Sequence, residues 1–520
     1  MRTKIVGLFV CMLLIATAVP AVTSVKNSAI NTTAPSCPLT SIAASWGETQ
    51  KLLASDGAKG DYFGYFVSLD GDTVLIGAPY DDGYKGSVYV FTRTGTTWTQ
   101  QAKLLASDGS AGDMFGYFVS LDGDTALIAA SLDDDNGVDS GSAYVFTRTG
   151  TTWTQQAKLL ASDGAADDQF GCSISLDGDT ALIGANCTDD NGVDSGSAYV
   201  FTRTGTTWTQ QAKLLASDGS AGDQFSFYGA SLDGDTALIG AVYEDDKGVD
   251  SGSAYVFTRT GTTWTQQAKL LASDGVAGDW FGYFISLDGD TALIGALQDD
   301  DNGKDSGSAY VFTRNGTTWT QQAKLLASDG ARMDIFGNDV SLDGDTALIG
   351  AVQDDDNGFQ SGSAYVFTRS GTTWTQQQKL LASDGARGDL FGCDVSLDGD
   401  TVLIGAPADG DNGLNSGSVY VFMKGGIEID ITGGLGVNAV ITNHGITNVT
   451  NVTWQLHVKG GILGRINKTV NGTIDIPAGG SKTVGTGILF GLGALSITAT
   501  VAVEEKTAKG TQIIIFSKVK

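Results

Sequence analysis

The string Lys-Leu-Leu-Ala-Ser-Asp-Gly occurs seven times, beginning at Lys51, Lys103, Lys158, Lys213, Lys269, Lys324 and Lys379. Ser-Leu-Asp-Gly-Asp-Thr also occurs seven times, from Ser68 to Ser396, and seven Tyr-Val-Phe triplets follow in step from Tyr89 to Tyr420. A chain copied at a period of about 55 residues must bury each unit against its neighbours, so repetition constrains this fold more than any other feature. Each unit holds four strand-like runs. In the second, Phe115 to Leu121 leads through Asp122-Gly123-Asp124 into Thr125 to Ala130, then through an acidic loop into Ser142 to Thr147, and through Arg148-Thr149-Gly150 into Thr152 to Leu160. Period-two patterning with tight turns and no helical periodicity predicts an all-β protein whose units are propeller blades.

The phase of the repeat says how the ring ends. A Trp46 to Leu53 strand precedes the first Phe-Gly unit, and the last unit, Phe391 to Phe422, has only three strands. The N-terminal strand is therefore expected to complete the seventh blade, leaving no open edge. Burial of Trp46, Leu52 and Leu53 would contribute roughly 1.5–3 kcal/mol each.

These residues resemble the FG-GAP repeat family, whose best-known members form the propeller of integrin α subunits. Phe63-Gly64 pairs with Gly77-Ala78-Pro79 in the first unit, and Phe391-Gly392 with Gly405-Ala406-Pro407 in the last; Phe-Gly also stands at Phe115, Phe170, Phe281 and Phe336. The resemblance covers roughly residues 46–423 and implies an integrin-like β-propeller. The fourth unit departs from it with Phe225-Ser226 and one extra residue, which predicts a bulge, and the second has Ala129 in place of glycine. Integrin-type calcium loops carry an extended Asp-x-Asp-x-Asp-Gly run between the first two strands. Here that turn is only Asp-Gly-Asp, too short to wrap a metal in six or more oxygens.

The domain reading is a signal peptide over residues 1–24, a linker over 25–43, a seven-bladed propeller over 44–424 and an Ig-like β-sandwich over 425–520. Arg2 and Lys4 precede an apolar stretch from Ile5 to Ala16, with small residues at Ala18 and Ala21, the pattern of an export signal. A secreted or cell-surface location follows, and no later apolar run is long enough to span a bilayer. The last 95 or so residues do not repeat; their short alternating runs resemble the Ig-like adhesion modules of prokaryotic surface proteins. Export leaves four cysteines. Cys172 with Cys187 and Cys37 with Cys393 are candidate disulfides, and unpaired buried thiols are the equal alternative. Asn31, Asn186, Asn315, Asn448, Asn451, Asn467 and Asn471 are candidate glycosylation sites.

A net charge of −28 repels phosphate backbones and disfavours nucleic acid as a partner. Strand direction puts the Asp-Gly-Asp and Arg-Thr-Gly hairpins on one face of the ring, and the acidic loops and inter-blade linkers on the other. Variation between units concentrates on this second face. Tyr62, Tyr80, Met114, Gln169, Gln224, Tyr243, Trp280, Gln298 and Gln353 are its candidate ligand-binding residues. Its acidic loops include Asp133-Asp134-Asp135, Asp299-Asp300-Asp301 and Asp354-Asp355-Asp356, which read either as Ca²⁺ ligands or as good turn chemistry. The only histidines, His444 and His457, lie outside the repeats, so no His-based catalytic triad fits there. Trp98, Trp153 and Trp208 recur in register and read as blade core. The favoured reading is a non-enzymatic binding or adhesion protein for an extracellular protein or glycan. An extracellular carbohydrate-active enzyme and a purely structural envelope protein are the alternatives.

Overall fold

A computed structural model describes residues 45–520 apart from 426, 434–436, 444–448, 461–465, 478–479, 487–490, 502–503, 515 and 520. The expected signal peptide, the linker, Cys37, Asn31, Asn448 and His444 lie outside the described residues.

The repeats form a seven-bladed propeller of four-stranded antiparallel sheets. In the first blade Val67–Asp70, Thr73–Ala78, Ser87–Thr94 and Thr97–Leu104 follow one another in sequence order. The seventh sheet orders its strands Val395–Asp398, Thr401–Ala406, Ser418–Lys424 and then Trp46–Leu52, which pairs antiparallel with Ser418–Lys424. The core lies between blades. Trp46 joins a cluster with Leu348 and Val366 of the sixth blade, whereas Leu52 joins one with Phe63 and Val74 of the first. Leu53 is only half-buried, contrary to the expectation, because strand alternation turns it away from the neighbour that covers Leu52.

The Phe-Gly and Gly-Ala motifs meet across every junction. A Cβ placed on Gly77 would lie 2.1 Å from the carbonyl oxygen of Gly116 in the next blade, and one on Gly405 would lie 2.1 Å from that of Gly64. Adjacent backbones therefore approach too closely for two side chains. The two departures seen in the sequence occupy this same contact: Ala129 faces Gly171, and Ser226 faces Gly184, so each junction retains one glycine. The extra residue of the fourth unit is absorbed as a bulge between Phe225 and Ala230.

A second bulge recurs between the third and fourth strands, at Val90/Phe91 and its equivalents. It gives two successive glutamines separate partners: Gln100 accepts from the Ser55 amide, and Gln101 accepts from Trp153 Nε1 of the next blade. The junctions beside the Trp46–Leu52 strand differ. Gln50 and Gln378 stand where most units have alanine, and each clasps the backbone N–H and C=O of the next blade's tryptophan, Trp98 and Trp46. Thr49, at the Gln101 position, is too short to reach Trp98, whose buried Nε1 has no hydrogen-bond acceptor.

Beyond residue 425 the described strands form a three-stranded and a five-stranded sheet. One hydrophobic cluster draws Val437, Ala439, Ile441 and Val484 from the first, and Val452, Leu456, Val458, Ile466 and Ile476 from the second. Among the described residues no helix is long and apolar enough to cross a membrane.

Candidate functional site

The acidic loops are held by lysines. In the second blade Lys158 Nζ lies 3.0 Å from Asp108 of the entering linker, 2.9 Å from Asp133 and 2.6 Å from Asp135 of the loop, above the Tyr144 ring. The Tyr144 hydroxyl donates to Asp108 and Asp133. Burial opposes the ammonium, but the carboxylates outweigh it and raise the lysine pKa. Conversely, burial pushes Asp108 up, and Lys158 more than offsets this, holding its carboxyl below the usual range.

The same latch recurs around the ring. Lys324 takes Asp274, Asp299 and Asp301; Lys379 takes Asp329, Asp354 and Asp356; Lys51 of the N-terminal strand takes Asp384, Asp409 and Asp411. A grouping of metal-capable carboxylates, Asp218, Glu244 and Asp246, surrounds Lys269 in the same way. The middle residues Asp134, Asp300 and Asp355 accept the backbone N–H of residues 139, 305 and 360 and close the turn. The nine candidate calcium ligands are thus split between a lysine ammonium and turn closure.

The nine proposed ligand-face residues are all half-buried on this face. Tyr62, Met114, Gln169, Gln224 and Trp280 share a left-handed backbone, with φ between 47° and 58°. Each is pinned by its N–H to a carbonyl in the preceding blade's loop. Tyr62 and Tyr80 lie ring to ring at 5.0 Å, and Tyr243 and Trp280 at 5.4 Å. Gln224 lies against Asn186, and Gln298 and Gln353 follow the second strands of their blades. Of the nine, only Gln353 lines the cavity at the channel mouth.

That cavity, of about 240 Å³, is lined by Tyr65, Phe66, Tyr117, Tyr228, Tyr283 and Phe284, and by Leu297, Ile335, Asn338, Val352, Gln353 and Cys393. Most of these residues come from the two positions after Phe-Gly, where the innermost strand faces the axis. The copies differ sharply there: Tyr-Phe in the first, second and fifth units, Cys-Ser in the third, Phe-Tyr in the fourth, Asn-Asp in the sixth and Cys-Asp in the seventh. This variation, at the two positions after Phe-Gly and not at the residue before Phe, is the sequence signal for the cavity. Phe66 and Phe118 approach to 3.9 Å, Tyr228 stacks on Phe284 at 5.7 Å, and Trp280 stacks on Tyr283 at 6.0 Å, extending the aromatic surface outward.

Where the aromatic ring is broken, two carboxyls are buried instead. Asp339 accepts the Val395 N–H and Asp394 accepts the Val67 N–H at 2.6 Å, each reaching the next blade, and the two carboxyls are near enough to influence each other's titration. Burial pushes Asp339 up to about 7; burial, then repulsion from Asp339, lifts Asp394 well above the carboxylate range. They therefore hold a proton between them at neutral pH. At the opposite end of the channel seven carboxylates, from Asp70 to Asp398, ring the mouth, and each accepts the glycine N–H of the next hairpin, as Asp70 does from Gly123.

Cys172, Cys187 and Cys393 carry free thiols, the first buried and the others half-buried; Cys37 lies outside the described residues. Burial raises Cys172 to about 12 and Cys187 to about 11, so neither is a reactive thiolate. Of the sequons, Asn186 is buried at 1% exposure and has no room for a glycan, whereas Asn315, Asn467 and Asn471 are exposed. Trp98, Trp153 and Trp208 are buried, each beneath an arginine guanidinium.

Comparison with curated proteins finds no match for the chain. The FG-GAP repeat pattern matches residues 46–91, 98–146, 153–201, 208–257, 264–312, 319–367 and 374–422. Each match begins at the outer-strand tryptophan of one blade and ends in the third strand of the next, so the first begins at Trp46. With seven matches over more than half its length, the chain belongs to the FG-GAP repeat family.

Proposed function

We propose that the protein is an exported, non-enzymatic binding or adhesion protein that captures its ligand at the loop-face mouth of the propeller channel. The observation that carries this reading is the loss of seven-fold likeness there. The lysine latches recur in every blade, but the channel mouth combines aromatic residues from four blades with amide, thiol and carboxyl groups from others. A half-open, largely apolar cavity with a few polar groups is what a small-ligand site requires. Export is supported by the N-terminal charge and apolar pattern, and by a family typical of extracellular domains.

In this reading the N-terminal strand closes the ring, supported by its pairing with Ser418–Lys424 and by the Gln50 and Gln378 clasps on either side. The C-terminal region is an Ig-like module, supported by two sheets sharing one apolar cluster. Against the enzymatic alternative, the carboxyl pair Asp339 and Asp394 is buried, each 5% exposed, and each accepts a backbone N–H of the next blade.

A glycan and small-ligand array run beside a polysaccharide hydrolysis screen tests the proposal. Capture without turnover, reduced by Tyr283→Leu, is the expected result. Turnover of any polysaccharide would overturn the non-enzymatic reading.

A further inference from the structure

We propose that the channel-mouth cavity takes a small organic cation bearing a trimethylammonium or similarly methylated ammonium group. This deepens the binding reading above and rests on it. The cavity presents aromatic faces more than free hydrogen-bonding groups. Tyr117 and Tyr228 bond through their hydroxyls at 3.1 Å, so these two hydroxyls are engaged with each other. Asn338 is likewise committed: its amide donates to the carbonyls of Gly392 and Cys393, and its oxygen accepts the Val352 N–H. A sugar needs such donors and acceptors free, and those of Tyr117, Tyr228 and Asn338 are not; a methylated ammonium is held by aromatic rings, which make up half of the lining residues.

Charge points the same way. Asp339 and Asp394 are each 5% exposed, and their strand neighbours Asn338 and Cys393 line the cavity. Among the described residues neither carboxyl forms an ion pair with a lysine or arginine, although every latch carboxylate cluster has its lysine. As pH rises above neutrality, ionisation of Asp339 puts negative charge in the channel wall. The ring of aspartates at the far mouth adds to the negative potential along the same axis. A cavity of about 240 Å³ limits the occupant to a small group.

The test is calorimetric titration of the full chain with choline and with 3,3-dimethylbutan-1-ol, which has the same shape without the charge, at mildly alkaline pH. Choline should bind saturably, and the neutral alcohol about tenfold more weakly or worse. Tyr283→Leu should remove binding, and Thr49→Gln, on the outer strand away from the cavity, should retain it. The double variant Asp339→Asn with Asp394→Asn should weaken choline and leave the alcohol unchanged. Co-sedimentation with phosphatidylcholine but not phosphatidylglycerol vesicles would assign the group to a lipid head group; choline binding without co-sedimentation would assign it to a free solute. Equal affinity for choline and the alcohol overturns the proposal. So does a neutral glycan captured in a Tyr283-dependent way with no choline binding, an outcome that leaves the binding-protein reading standing. If neither cation nor glycan binds, both readings fall.

Discussion

The rim of the loop face and the mouth of the channel lie on the same side of one propeller, yet they handle charge in opposite ways. At the rim each carboxylate cluster encloses a lysine, and substitutions keep the latch working. Glu244 serves for aspartate in the fourth blade, and in the third Thr188 replaces the first aspartate while Lys213 retains Asp163 and Asp190. At the mouth the aromatic positions of four blades become Asn338-Asp339 and Cys393-Asp394 in two others, and among the described residues no lysine or arginine pairs with those buried carboxyls. Repetition maintained under substitution marks scaffold. Divergence at an inward-facing position that should be easiest to copy marks a site.

The comparison implies that damage to the rim lowers stability without altering the mouth. The largest effect should come from deleting residues 44–53. This removes Trp46 and Leu52, worth roughly 1.5–3 kcal/mol each by burial alone, together with the Lys51 latch and both glutamine clasps. Loss of a cooperative thermal transition is the expected result; an unchanged melting curve would show that the strand does not hold the ring.

Next in size is Lys158→Met, which keeps the aliphatic stem and leaves Asp108, Asp133 and Asp135 facing one another. Asp133 is buried and its partners half-exposed, so the loss should fall near 2–3 kcal/mol, between the surface and buried limits. Millimolar Ca²⁺ should leave the melting of the native protein unchanged and raise that of the variant, whose carboxylates are freed. A calcium shift of equal size in both would break the contrast.

A third effect belongs to the mouth and depends on pH. Carboxyls raised by burial, Asp339 to about 7 and Asp279 and Asp334 to about 6, stabilise the fold fully below their unfolded value of 3.8, and that stability is lost as pH rises through their folded values. The linker aspartates Asp108, Asp274 and Asp329, depressed by their lysines against the pull of burial, contribute in the opposite sense and lose their contribution only in acid. Stability should therefore peak in mild acid and decline from about pH 4 to about pH 7. Denaturant midpoints across that range should fall in the native protein, and fall less when Asp339 and Asp394 are both asparagine, because Asp279 and Asp334 remain.

The smallest expected change is a gain. Thr49→Gln restores the acceptor that Trp98 Nε1 lacks and should add about 1 kcal/mol, with no effect on ligand binding.

Much of the propeller was legible because its determinants are local. The Asp-Gly-Asp turns, the alternation in Thr-Ala-Leu-Ile and the offset Trp46 strand each act within a few residues. Even the departures Ala129 and Ser226 were visible, although not the glycine contact that explains them. The latch was not legible, because Lys158 meets Asp133 and Asp108 across 25 and 50 residues, and a loop of aspartates read alone looks like a vacant cation site. The mouth was harder still. Tyr117 and Tyr228 are 111 residues apart and meet only because the ring brings every innermost strand to one axis. Asp339 and Asp394 could not be singled out among 59 acidic residues until the fold placed them together.

The most direct test of the contrast between rim and mouth is aromatic-carbon NMR of tyrosine-labelled protein during a choline titration. The account predicts that shifts concentrate on Tyr65, Tyr117, Tyr228 and Tyr283 while the latch tyrosines Tyr144, Tyr310 and Tyr365 stay fixed. Shifts confined to the latch tyrosines, with the mouth unmoved, would contradict it.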